Sequence, residues 1–202
     1  NNVTCICGNG SHELRIPNKV TIGTTGGAEK LTVSGNISAN GSLSAAKIVI
    51  GTNNTSTGIL ATVAGGCSNV VSGLRSTIGG GELNCATGTQ STVAGGRLNK
   101  AIGNKSSVTG GQNNSASGNY SGIIGGQTNC TTGSYSVAGG YKAKVTGVAS
   151  TAFGEGVSAA NNWASVGGGF ENCAGSSQSR VGGGCQNLAT GSSSFVGGGI
   201  KN

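Results

Sequence analysis

The chain has 202 residues, among them 42 glycines, one proline and no methionine, with 3 % aromatic and 8 % charged side chains. That excludes an ordinary globular core, which relies on Leu, Ile, Phe and Met to bury area at roughly 25 cal/mol per Å², and glycine without a strict triplet excludes collagen and leaves disorder or a repeat. The formal charge of +7 is spread over the whole length with no basic run and no interleaved basic and aromatic residues, so it reads as solubility and not as a nucleic-acid footprint.

Residues 1–15 carry no clear pattern. They hold the only histidine, His12, and a Cys5-Ile6-Cys7 pair. With one His and no second close pair, a zinc site is not expected, and no cofactor is implied. Further on, Lys30–Ala45 alternates apolar and polar residues. Gly35 and the dipeptide Asn40-Gly41 punctuate it, which predicts short strands and tight turns. Residues 1–47 are therefore expected to be a β-rich stalk or entry segment. No apolar run reaches the roughly 18 residues of a membrane helix, so no membrane insertion is expected. There is no signal-peptide pattern and no initiating Met, and a processed product or a piece of a longer protein is expected.

From residue 48 to residue 202 the sequence repeats. Taking the branched apolar residue before each glycine pair as position zero gives Ile48, Val63, Ile78, Val93, Val108, Ile123, Val137, Ala152, Val166, Val181 and Val196. The spacing is fifteen residues, with two steps of fourteen, Ile123 to Val137 and Ala152 to Val166. Three residues on, a glycine column runs from Gly51 to Gly199, broken by Glu155. Six residues on stand Asn54, Asn69, Asn84, Asn99, Asn114, Asn129, Asn172, Asn187 and Asn202, with Ala143 and Ser158 as exceptions. Eight residues on, small or branched residues such as Val71, Ala86, Ala101 and Ala160 recur, and ten residues on, mostly glycine.

These columns predict a coil. Segments such as Ser91–Gly95 and Asn99–Gly103 read as two strands of about five residues with one face inward, joined by turns that glycine makes cheap. The fold class is all-β, a parallel β-solenoid of about ten to eleven coils, stacked at about 4.8 Å. Stacking aligns equal positions, so the asparagines form a ladder at a corner, each amide donating to one neighbour and accepting from the other. The inward residues are Val, Ala, Ser and Gly. So thin a core buries little area per residue, and side-by-side association of several copies is expected.

The repeats, for example Ser91-Thr92-Val93-Ala94-Gly95-Gly96-Arg97-Leu98-Asn99-Lys100-Ala101-Ile102-Gly103, resemble the head repeats of trimeric autotransporter adhesins over residues 48–202. The resemblance implies a left-handed β-roll with three chains side by side, a homotrimer. It departs from that family in a glycine pair where Ile-Gly is common, and in coils mostly of fifteen and not fourteen residues. The stretch Val20–Ala45, with its Gly23-Thr24-Thr25 and Val33-Ser34-Gly35-Asn36-Ile37-Ser38 pieces, is similar to segments of phage and large-virus tail fibres. The two resemblances imply a structural or adhesive segment of an extracellular fibre, on a virion or a cell surface, with a glycan-cleaving tailspike or a purely structural extracellular filament as the alternatives.

Catalytic chemistry finds little support. No Ser/His/acid set can be assembled around His12. The acids are Glu13, Glu29, Glu82, Glu155 and Glu171. Of these, Glu155 and Glu171 lie about one coil apart and are the pair a glycan-cleaving tailspike would need. The expectation is nevertheless a chain that is not an enzyme. Cys67/Cys85 and Cys173/Cys185 lie in adjacent coils, and disulfides or small apolar thiols both fit. Asn-x-Ser/Thr sequons include Asn2, Asn104, Asn119 and Asn129. Thr62, Thr77, Thr92 and Ser107 begin a hydroxyl column that drifts to Gly122, Arg180 and Phe195, so a flat ice-binding face is not expected. Large and charged residues gather at corners, where solenoids carry binding loops. Tyr141, Lys142, Trp163, Phe170, Arg97 and Lys100 are the candidate contacts for a host-surface glycan or protein receptor. Trp163 with Tyr141 and Lys142 is the candidate glycan contact, because aromatic faces suit sugar and cation packing.

Overall fold

The computed structural model describes residues 48–202; Cys5, Cys7, His12 and the strands expected between Lys30 and Ala45 lie outside the described residues. The described chain is an all-β parallel solenoid, with no helix among the described residues. Its strands alternate between two sheets. Thr62–Val63 lies in the first, Val70–Val71 in the second, and Thr77–Ile78 in the first again. The first sheet has eleven strands and the second ten, each hydrogen-bonded to its counterparts one coil away. Stacked neighbours are the repeat equivalents, such as Val63 with Ile78 and Val71 with Ala86. At about 4.8 Å per coil, the ten steps of the first sheet rise about 48 Å.

The inward positions form a narrow core. Val63, Ile78, Val93, Val108 and Ile123 line it from the first sheet; Val71, Ala86, Ala101, Ala116 and Thr131 line it from the second, all essentially inaccessible to water. Most coils thus place one branched side chain against one side chain that is usually alanine; at Ala138 and Ala152 the first-sheet residue is itself alanine. A fully buried Val or Ile contributes about 1.5–3 kcal/mol, so a single coil holds little stability of its own and depends on its neighbours.

Most strands are two residues long, not five. The exceptions are Gly122–Gln127, Val137–Tyr141 and Thr151–Glu155 in the first sheet. The ladder is cut short because every regular coil leaves the extended conformation three times. One break is a glycine with positive φ; the others are two residues in the left-handed region, as at Gly81, Leu83 and Gln90. A left-handed conformation costs a non-glycine residue roughly 1–2 kcal/mol. Each such residue reverses the direction of its N–H. Strand amides donate to the following coil, as Thr77 N–H to Ser91 O at 2.9 Å, whereas Leu83 and Gln90 donate to the preceding coil, at Cys67 O and Leu74 O. The reversal turns the chain while keeping corner amides bonded, which offsets the conformational cost.

The register corrects the sequence columns at two coils. Val49, not Ile48, stacks under Val63, and Ala138, not Val137, stacks over Ile123. The fourteen-residue steps are therefore Val49 to Val63, Ala138 to Ala152 and Ala152 to Val166. The residue that short coils lack is the outward glycine just before the positive-φ glycine. In long coils this is Gly65, Gly80, Gly95 or Gly110, where an added Cβ would meet nothing within 4 Å. With this register the glycine column has no exception, because Gly154 (φ 126°) fills the place assigned to Glu155. In the asparagine column the second exception is Val157, not Ser158. In the column eight residues on, Ala159 replaces Ala160.

Candidate binding edges

The coil has two edges where the chain passes between the sheets. At the first edge stands the asparagine ladder. Asn69, Asn84, Asn99, Asn114, Asn129, Asn172 and Asn187 are all buried, and Asn54 and Asn202 continue the column. The bonding differs from the expected amide-to-amide relay. Each amide oxygen accepts from the backbone N–H of the next asparagine, as Asn99 N–H to Asn84 Oδ1 at 2.9 Å. Each amide nitrogen donates to two carbonyls, as Asn99 Nδ2 to Gly95 O at 3.0 Å and to Gly111 O at 2.8 Å. The ladder thus satisfies turn backbone that no strand reaches, and side chain to side chain bonds occur only at some steps, as Asn114 Nδ2 to Asn99 Oδ1. Asn129, although in a sequon, is consumed in this way, with its amide donating to Gly125 O and Gly140 O. The sequon residues Asn104 and Asn119 are exposed at the other edge.

Outside the ladder runs a column linked by parallel bridges, exposed except at its half-buried cysteines. It reads Thr52, Cys67, Glu82, Arg97, Gln112, Gln127, Tyr141, Glu155, Phe170, Cys185 and Ile200. Arg97 Nε meets Glu82 Oε2 at 3.1 Å, with both side chains about half exposed, a pair worth at most a few tenths of a kcal/mol. Tyr141 and Phe170 flank Glu155 on this edge, and Lys142 Nζ lies 4.9 Å over the Tyr141 ring. Glu171 sits one column further along the chain than Glu155, and its carboxylate accepts from Gln186 Nε2 at 2.7 Å. Lys100 is elsewhere, on the outer face of the second sheet between Cys85 and Ser115.

The second edge is closed inside by a serine column, which the sequence columns show only as small inward residues. Ser76, Ser121, Ser136 and Ser179 are buried, and each hydroxyl donates to a carbonyl three residues back, as Ser76 to Gly73 O. On the outside stand the left-handed residues Leu60, Arg75, Gln90, Lys105, Tyr120, Tyr135, Ala149, Trp163, Gln178 and Ser193. Tyr120 and Tyr135 stack with centroids 4.9 Å apart and planes 8° apart, and Lys105 Nζ covers the Tyr120 ring. Trp163 belongs to this edge. The structure therefore separates it from Tyr141 and Lys142, the partners expected from the sequence. Its neighbours are Gln178, Arg180, Ser193, Ser194 and Phe195, which with Trp163 line an open groove of about 570 Å³. The sequence does carry a signal for this place, because Arg180 and Phe195 are the residues that break the hydroxyl column.

Cys67, Cys85, Cys130, Cys173 and Cys185 are free within the chain, each half-buried, so neither Cys67/Cys85 nor Cys173/Cys185 is joined by a disulfide. Burial pushes the Cys85 thiol above its usual range, and the Lys100 ammonium in the next coil offsets part of that. Among the described residues no group of His, Cys and Glu could hold a metal ion, and no helix is long and apolar enough to cross a membrane. No protein-family model matches the chain, and no curated protein matches it.

Proposed function

We propose that this chain is a stiff structural and adhesive segment of an extracellular trimeric fibre, a viral tail fibre or a cell-surface adhesin. Three copies lie side by side and present their edges to a glycan or protein on a host surface. The observation that carries this reading is the thinness of the core. Two branched or alanine-sized residues per coil bury little area, while Val70 and Leu188 stand on the outer face of the second sheet at 41 % and 52 % exposure. Neighbouring copies would cover part of that surface. The three fourteen-residue steps add support, because they reproduce the period of the adhesin head repeats the sequence resembles. The regular ladders supply stiffness along the axis, and the side chains outside them vary from coil to coil, as recognition requires.

Absolute mass by light scattering tests the proposal. Three times the 19.3 kDa of one chain, unchanged by reductant, is the expected result. A monomer in both conditions overturns the trimer. A mass that falls to one chain only in reductant would replace packing with disulfides as the link between copies.

A further inference from the structure

The groove at the second edge has a composition that specifies its ligand. Its floor is laid out by the repeat. Trp163, Gln178 and Ser193 occupy equivalent left-handed positions in three successive coils, and Arg180 and Phe195 stack as register partners on the adjoining outer face of the first sheet. Successive coils are about 4.8 Å apart, so Trp163 and Phe195 stand two coils apart, about 10 Å along the axis, with Gln178 and Arg180 in the coil between. The indole is 56 % exposed and the Phe195 ring 70 %. Arg180 is the only charged side chain lining the groove. No Glu lines it, and the guanidinium has no ion-pair partner among the described residues. Gln178 is oriented by Ser193, whose hydroxyl lies 3.0 Å from Gln178 Oε1, which leaves the Gln178 amide NH₂ as a donor.

We infer that this groove binds a carboxylated pyranose, with the sugar ring on the face of Trp163, the carboxylate on Arg180, and ring hydroxyls on Gln178 and the serines. A pyranose offers a C–H face to an aromatic ring. A guanidinium takes a carboxylate with two parallel hydrogen bonds. A groove with one positive charge and no negative one selects an anion over a neutral or cationic ligand. The first edge differs in that Glu155 lies between Tyr141 and Phe170, which disfavours the same ligand there. The inference rests on the adhesive reading in naming what the edge would hold, but not on the trimer.

Trp163 is the only tryptophan in the chain, so its fluorescence reports on this groove alone. The full 202-residue chain is titrated with a sialyl-oligosaccharide, a glucuronate-terminated oligosaccharide and a neutral galactose-terminated one. Saturable change in Trp163 emission with at least one acidic sugar is expected, near the millimolar range usual for a shallow single-sugar site, weakened by salt and at least tenfold weaker or absent with the neutral sugar. Which acidic sugar responds separates the two sources of the carboxylate. Arg180→Gln is expected to weaken binding about tenfold or more with an unchanged far-ultraviolet circular dichroism spectrum, and Lys144→Ala on the outer face of the second sheet to leave it unchanged. No saturable response to either acidic sugar, equal response to the neutral one, or full binding by Arg180→Gln overturns the inference. Mass measured on the same sample tells this failure from that of the fibre: a trimer without a response loses the groove only.

Discussion

At the scale of single residues, stability rests on side chains that serve backbone. Asn99 accepts from Asn114 N–H and donates to Gly95 O and Gly111 O, and of these three partners only Gly111 O has a second bond, from Arg97 N–H. Asn99→Ala leaves the Asn114 N–H and the Gly95 carbonyl without their partner, while Gly111 O keeps the Arg97 N–H, and each such unpaired group costs about 1–3 kcal/mol. A loss of about 2 kcal/mol or more by chemical denaturation is expected. Asn99→Asp keeps the acceptor but cannot donate while ionised. It is expected to be less stable than the alanine variant at neutral pH and to recover part of the loss on acidification, as the carboxyl protonates. The sign is that of a buried carboxyl raised above its unfolded value, whose penalty disappears as pH falls through the folded value. Equal stability of the two variants across pH would show that the Asn99 amide makes no donor contribution. Cys85 gives a second residue-scale test. The thiolate is the nucleophile and burial raises this thiol, so Cys85 is expected to be alkylated by iodoacetamide at pH 8 more slowly than an unperturbed thiol. Lys100 lowers it, so Lys100→Ala is expected to slow the reaction further. Faster alkylation in that variant would show that Lys100 shields the sulfur sterically and does not act through charge.

At the scale of the coil, two glycines close in sequence have opposite roles. Gly81 has φ 87°, and a Cβ there would overlap the carbonyl oxygen of Gly96, whereas a Cβ at Gly95 would meet nothing. Gly81→Ala is expected to cost several kcal/mol. Gly95→Ala is expected to be neutral or stabilising by about 0.5 kcal/mol, since its only effect is to restrict the unfolded chain. Thermal melts of both variants decide this; comparable losses would refute the assignment of the inserted position. The same pair shows why the sequence is legible in period but not in phase. Fifteen-residue columns of Gly, Asn and Ala arise from stacking and are visible in any register. The phase at Val137/Ala138 is misplaced by the sequence columns because hydrophobicity favours Val as the inward residue. The short coil lacks its spare outward glycine, so the glycine pair lies one residue nearer and the smaller Ala138 turns inward. The serine column is present in the sequence at the fourteen- to fifteen-residue spacing of the repeat but chemically ambiguous, because a serine beside a strand faces water as often as core. The groove around Trp163 is legible only through Arg180 and Phe195, which break the hydroxyl column; its other parts come from three coils and lie together only when the repeat is given its true edges.

At the scale of the whole rod, the irregular positions fall together. The asparagine ladder is interrupted at Ala143 and Val157, the serine column at Ala164, and the glycine column ten residues on at Asn161 and Ser176. Ala143 still donates its N–H to Asn129 Oδ1 at 2.8 Å. Val157 and Asn172, however, stack above residues with no amide oxygen, and their N–H groups find no acceptor among the described residues. In a stack where each coil contacts only its neighbours, stability is the sum of coil and interface terms, and missing bonds lower the local interface and not the whole. Local opening is then expected at this joint first. In native-state hydrogen exchange the N–H groups of Val157 and Asn172 should exchange roughly fivefold or more faster than those of Asn84, Asn99 and Asn114, for the loss of one hydrogen bond of about 1 kcal/mol. Amides flanking the joint should open before those of the coils between Ile78 and Asn129. Uniform protection along the whole solenoid would mean that the rod opens as one unit, with sheet pairing rather than the asparagine ladder setting its stability. Protection that falls at the joint would place the compliant part of the rod beside the Trp163 groove, where a bound ligand spanning three coils would brace it.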